Sequence, residues 1–201
     1  MLANDSTADA AKAHVSAAAH LKASIKVLED AAAAFDDDRT ERAIDLISHA
    51  LRDRLPLLVC GNGGSAADAQ HITGELVGRF LQERRALNAI CLSANVAALT
   101  AWANDYDYAD VFARQVEAHA MPGAVLLAIS TSGNSPNVVR AAETAKRLGL
   151  AVVALTGRGG GKLARHCDVL LDVPSERVPF IQQVHICLYH YMCERVEANL
   201  M

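Results

Sequence analysis

Leu57-Leu58-Val59-Cys60-Gly61-Asn62-Gly63-Gly64-Ser65-Ala66-Ala67-Asp68-Ala69-Gln70-His71-Ile72-Thr73-Gly74-Glu75 is the stretch whose reading decides the fold. Leu57 to Cys60, opened by Pro56, read as a buried strand, the glycines as a tight turn, and the rest as a helix over 65–82. Ser65 is expected to cap that helix, so its free N–H groups and positive dipole end would face whatever sits above the strand. This arrangement suits an anion or a sugar hydroxyl. His71 and Glu75, at i and i+4, share one helix face and can meet on one ligand as an acid/base or metal pair.

Downstream, the same unit recurs. Strands at 89–92, 124–129, 151–155 and 169–171 alternate with helices at 94–103, 109–118, 136–147, 161–165 and 179–198. Short apolar strands between helices predict a doubly wound, five-stranded parallel sheet of the flavodoxin-like kind, with ligands at the carboxyl ends of the strands. Ahead of it, an alanine-rich helical pattern over 8–35 and a second helix after Asp36-Asp37-Asp38 form an N-terminal segment, 1–54, before an α/β core at 55–201. The whole chain is expected to be a single domain. The alanine and leucine face of these leading helices predicts an oligomer contact.

Composition narrows the function. The 201 residues are 52% hydrophobic with a formal net charge of -4, which gives no nucleic-acid surface. The Arg84-Arg85 pair reads as a solvated helix end. Five cysteines without a C-x-x-C spacing, Cys60, Cys91, Cys167, Cys187 and Cys193, argue for a reducing compartment rather than a disulfide frame. With no signal-like N-terminus and no membrane-length apolar run, a cytoplasmic protein without a membrane partner is expected.

A second polar turn, Ser130-Thr131-Ser132-Gly133-Asn134-Ser135-Pro136, follows the strand Val125–Ile129. Its hydroxyls, its glycine, and a capping serine before proline form a compact anion nest. It lacks the lysine of a P-loop, so a phosphomonoester fits it better than a nucleotide. The first turn also satisfies G-x-G-x-x-A, but the second strand ends Cys91-Leu92-Ser93-Ala94-Asn95, without the acid that would hold a dinucleotide ribose.

Both turns and their spacing resemble sugar isomerase (SIS) domains. Within that group, Gly61 to His71, Ala103-Asn104-Asp105-Tyr106, Ser130 to Ser135 and Ile181-Gln182-Gln183-Val184-His185 resemble the phosphoheptose isomerases. The resemblance covers nearly the whole chain. It implies conversion of sedoheptulose 7-phosphate to D-glycero-D-manno-heptose 7-phosphate for bacterial surface heptose, by a homotetramer with active sites at its subunit interfaces. By the same resemblance Ser130, Thr131, Ser132 and Ser135 would hold phosphate, while Asn62, Gly63, Gly64, Asn104 and Asp105 would hold the sugar with Glu75 and Gln182. One zinc per subunit would be bound by His71, Glu75, Gln182 and His190, with Glu75 and His190 as the acid/base pair.

The chemistry asks for such residues. Moving a carbonyl from C2 to C1 through an enediol needs a base that carries a proton between adjacent carbons and an acid that serves the two oxygens. Glu75 suits the first task and His190 the second; a bound metal could instead polarise the carbonyl. Gln182 and His190, eight residues apart, would be separated by roughly 12 Å along one helix. A site shared with a neighbouring subunit follows as an expectation. His166 and His185 read as surface or satisfied polar residues. Gln183 stands where many relatives carry glutamate, and Pro179-Phe180 where some carry Asp-Arg. Two alternatives remain: a non-catalytic SIS-fold protein that binds the replication initiator, whose kind lacks the catalytic glutamate, and an isomerase of another sugar phosphate.

Overall fold

The computed structural model describes residues 16–201. Five parallel strands, β1 (Leu57–Gly61), β2 (Ala89–Cys91), β3 (Val125–Ser130), β4 (Ala151–Thr156) and β5 (Val169–Asp172), form one sheet in the order β2-β1-β3-β4-β5. The order reverses between β1 and β3, which pair from Leu57↔Val125 to Gly61↔Ile129. Ligands in such sheets settle at this crevice, and both polar turns leave their strands beside it.

Side-chain alternation along the strands divides the core in two. Leu57, Val59, Val125, Leu127, Ile129, Val153 and Leu155 face α2 (Asp37–Arg52), α3 (Gly64–Val77) and α7 (Val178–Asn199). Leu58, Cys60, Leu126, Ala128, Val152 and Ala154 face α5 (Val111–His119) and α6 (Pro136–Arg147). With both faces covered, the strands are almost continuously apolar. Burial also drives the Cys60 thiol up to about 12, so it behaves as a core residue rather than a nucleophile.

α1 (Ala17–Ala34) starts at Ser16, whose Oγ accepts the Ala19 N–H at 3.2 Å. The expected start near residue 8 lies outside the described residues. Ala31, with Val27, Leu28 and Phe35, packs on Ile181 and Val184 of α7, while Leu21 and Ile25 remain 60% and 57% exposed. α4 (Val96–Asp105) is capped by the Asn95 side chain. It therefore starts and ends two residues later than the pattern at 94–103 predicts, and takes in Asn104 and Asp105. Short 3-10 turns at Tyr108–Asp110 and Gly161–His166 complete the chain.

The expected helix at 65–82 stops at Val77, with Gly78 as its non-helical C-cap residue, and a residue 120 positions away holds the chain beyond it. The buried Glu197 carboxylate of α7 accepts the N–H groups of Phe80, Leu81 and Gln82 at 2.8, 2.8 and 3.1 Å, and these consecutive donors cannot also continue the helix. Nor is Arg84 a solvated helix end. Its side chain is 4% exposed and pairs with Glu197 at 2.8 Å, while Nη2 also donates to the Glu75 carbonyl and Nη1 to that of Gly78. Arg85 caps α2 through the Leu51 carbonyl at 2.7 Å.

Candidate active site

The first turn leaves β1 through Gly61 and reaches α3 through Gly63, whose φ of 55° lies in the left-handed region that favours glycine. Gly63, rather than Ser65, is the N-cap residue; Ser65 sits buried in the first turn of the helix and donates its N–H to the Asn62 carbonyl. The helix N-terminus is therefore lined by backbone. A Cβ on Gly64 would collide with the Gln182 amide, so α7 lies directly on this end of α3.

From there α3 and α7 run side by side in the same direction. Gly64 meets Gln182, His71 meets Tyr189 and His190, and Phe80 meets Glu197, all at a separation of 117 to 119 residues. This shared register brings three sequence-derived candidates together. His71 Nε2 lies 3.0 Å from Glu75 Oε1 and 3.4 Å from His190 Nε2, and one ligand atom from each residue falls within 4.8 Å of the others. His71 is exposed, Glu75 and His190 half-buried. Gln182 sits apart at Gly64, seven residues or roughly 10 Å of helix before His71.

The surroundings orient these groups. Phe80 stacks on His190 at 5.5 Å between ring centroids, and Tyr189 meets both imidazoles edge-on. The Tyr189 hydroxyl lies 2.9 Å from His71 Nδ1 and 3.5 Å from Asp68 Oδ1. Burial raises the Asp68 carboxyl above its ordinary range, against the opposing Tyr189 hydroxyl, and burial together with Asp68 raises the Tyr189 phenol.

The serine turn closes β3 across the crevice. Ser130 and Ser135 bond through their hydroxyls at 3.0 Å, so Ser135 starts α6 without capping it through its side chain. Ser132 Oγ accepts the Asn134 N–H. Gly133, at φ 63°, packs so tightly on the Gly160 carbonyl that no Cβ would fit. Thr131 and Ser132 stand at the surface end of the turn, Ser130 at its buried base.

Two residues that sequence reasoning missed join the turns. Asn137 exchanges amide hydrogen bonds with Asn62 at 2.8 and 2.9 Å, and the Tyr108 hydroxyl donates to Asn62 Oδ1 at 3.0 Å. Together with Ser135 they line an open cleft of about 300 Å³. An asparagine one residue after the helix-starting proline was the available signal for Asn137, which the structure buries. Asn104 and Asp105 lie exposed at the end of α4, hydrogen-bonded to each other. Of the histidines given no role, His166 pairs with Glu143 at 3.2 Å. His185 is fully buried beside the Thr156 carbonyl, at 3.1 Å from Nε2, and its burial lowers it to about 4. Phe180 is buried beneath the Arg177 guanidinium and against His20, and Gln183 Oε1 is buried without a partner among the described residues.

Residues 19–157 match the SIS domain family. A phosphoheptose isomerase of Crocosphaera subtropica is 52% identical over 160 residues, 80% of this chain and 82% of that protein. The chain belongs to the phosphoheptose isomerase family of SIS-domain proteins. A solved phosphoheptose isomerase from Neisseria gonorrhoeae superposes with a TM-score of 0.84 at 43% identity, covering 90% of this chain and 96% of that one. One from Francisella tularensis gives 0.86 at 36% identity over the same shares. Membership of this family makes the chain a sugar-phosphate isomerase. Among the described residues no helix is long and apolar enough to cross a membrane.

Proposed function

We propose that the protein interconverts sedoheptulose 7-phosphate and D-glycero-D-manno-heptose 7-phosphate, in the cytoplasm, as a step toward bacterial surface heptose. The observation that carries this reading is the convergence of His71, Glu75 and His190 on one point, on a helix whose entry turn is joined to the start of the serine-turn helix through Asn62 and Asn137. The serine turn would take the phosphate through Ser130, Thr131, Ser132, Ser135 and its backbone N–H groups. Gly63, Gly64, Asn62 and Gln182 would align the chain of hydroxyls, with Asn104 and Asp105 at its rim. The roughly 10 Å of α3 between Gly64 and His71 matches the length of an extended seven-carbon chain together with its terminal phosphate ester.

The donor set fits zinc: two imidazole nitrogens and a carboxylate oxygen, with gaps of 3.0 and 3.4 Å close to the ~3.3 Å between ligands held 2.0–2.1 Å from a tetrahedral ion. Bound there, the ion would supply Lewis-acid polarisation of the C1 and C2 oxygens. Glu75 would take the proton from C1 of the ketose and return it at C2. His190 would give a proton to the C2 oxygen and receive the one leaving the C1 oxygen, so that the enediol forms and collapses without net loss. Gln182 would serve the substrate in its own subunit, or the metal of a neighbour. The exposed Leu21 and Ile25 on α1 favour assembly, here as a homotetramer with sites at its interfaces.

The test is turnover of sedoheptulose 7-phosphate by the purified protein, with and without chelator, beside Glu75→Gln. We expect the variant to lose about 10²–10⁴-fold and chelation to lower the wild-type rate. A wild type inactive on this ketose with zinc supplied would sink the substrate assignment.

A further inference from the structure

Asp68 occupies costly surroundings. It is 7% exposed on the face of α3 that meets α7, its Oδ2 has no hydrogen-bond partner among the described residues, and its Oδ1 has the Tyr189 hydroxyl at 3.5 Å. An apolar side chain would pack there without stranding a carboxylate. What the carboxylate does have is a connection: the same hydroxyl touches His71 Nδ1 at 2.9 Å, and the other nitrogen of that ring faces Glu75 and His190.

A tyrosine hydroxyl has one proton to give. Given to His71 Nδ1, it would leave both Asp68 oxygens without a donor and would place the imidazole hydrogen on Nε2, pointing at the other two members of the cluster. Given to Asp68, it requires His71 to carry its hydrogen on Nδ1 and donate to the hydroxyl oxygen. Asp68, the hydroxyl and Nδ1 are then paired, and the Nε2 lone pair faces Glu75 Oε1 at 3.0 Å, an arrangement that suits a cation held between them. A ligating histidine needs this arrangement, with the far nitrogen held by a hydrogen-bonded partner.

We propose that Asp68 and Tyr189 form a relay that fixes the Nδ1–H tautomer of His71 and keeps its Nε2 lone pair aimed at the point shared with Glu75 and His190. Both are positioning residues, acting through His71. The relay rests on the metal reading above, since with no cation bound Glu75 Oε1, 3.0 Å away, competes by accepting a hydrogen from His71 Nε2.

The experiment is the zinc affinity of the full-length protein, measured by competition against a chromophoric chelator, with ¹⁵N NMR of the His71 ring in the zinc-loaded protein. Wild type is expected to bind zinc through His71 Nε2 and to show a slowly exchanging hydrogen on Nδ1. Tyr189→Phe, which keeps the ring and its packing, should weaken zinc binding about 10–100-fold and open the Nδ1 hydrogen to exchange. Asp68→Leu should do the same while leaving the thermal midpoint of the metal-free protein unchanged or raised, whereas a merely structural Asp68 would lower that midpoint and leave zinc affinity alone. Wild-type zinc affinity in both variants, or hydrogen on Nε2 in the zinc-loaded wild type, overturns the relay. A wild type that binds no zinc sinks the metal reading and the relay with it.

Discussion

The Arg84–Glu197 pair makes an unequal prediction for its two members. Arg84 is 4% exposed and Glu197 fully buried, so removing either strands a charge, a loss of about 3–5 kcal/mol for a typical buried pair. Glu197, however, also accepts three backbone N–H groups. Burial works against its charged form, but those donors and the guanidinium outweigh it and hold the pKa below the usual carboxylate value. In Arg84→Met the carboxylate keeps the three N–H groups, and the Glu75 and Gly78 carbonyls, each able to accept elsewhere, lose one donor; we expect a loss of about 2 kcal/mol, below the range for an unsupported charge. In Glu197→Leu the buried guanidinium keeps its carbonyl acceptors but loses its counter-charge, and the donors of residues 80–82 lose their acceptor, for about 4 kcal/mol. Out of a total near 5–15 kcal/mol that is a large share. With a urea slope of about 2 kcal/mol/M the midpoint should fall by about 2 M, read at fixed protein concentration. The double variant should be no worse than Glu197→Leu, since no charge remains stranded. Equal losses in the two single variants, or full additivity in the double, would refute this account.

Acid should destabilise the fold through His185. Its folded form stays neutral down to about 4 against 6.5 when unfolded, so the unfolded chain binds the extra proton between those values. Stability therefore falls by about 3 kcal/mol as pH drops from 6.5 toward 4, and His185→Gln, which can still donate to the Thr156 carbonyl, should flatten that slope in urea titrations. Glu197 acts in the same sense at lower pH, its contribution lost as pH falls through its depressed pKa. Gly133→Ala must hold a left-handed φ against the Gly160 carbonyl. It should lose more than about 2 kcal/mol and raise the KM for a sugar phosphate, and a wild-type KM would count against the serine turn as the phosphate site. Asn137→Ala leaves Asn62 without its reciprocal partner and should cost about 1–2 kcal/mol with weaker substrate binding; unchanged binding would detach the Asn62–Asn137 pair from the site.

Much of the architecture is legible along the chain because local patterns encode it. Apolar runs of strand length between helices specify a sheet covered on both faces, and glycine and serine clusters mark the carboxyl ends of β1 and β3. Features that depend on distant partners are not legible in this way. The apolar pattern after Gly64 continues past residue 80; Gly78 was the local mark of the helix end, but nothing local in Phe80-Leu81-Gln82 announces the carboxylate 115 residues or more away that holds them. For the same reason Arg84 reads as surface. His71, Glu75 and His190 can be named one by one from residue type and resemblance, but their meeting requires the parallel register of α3 and α7. Asp68 and Tyr189 look like ordinary helix residues until that register sets them face to face.

That register also has a consequence in time. His71 and His190 are 119 residues apart, and all five strands leave the ribosome before α7. At about 5–20 residues per second the 22 residues of α7 take about 1–4 s to synthesise. Until then the nascent sheet displays Leu57, Val59 and Leu127 without their cover of Tyr189, Met192 and Val196, and His71 and Glu75 wait for His190. Reactivity is thereby postponed to the close of translation, while the need for a chaperone is greatest just before it. A ribosome-stalled chain ending after β5, with a linker that carries β5 clear of the ribosome, should recruit a holdase.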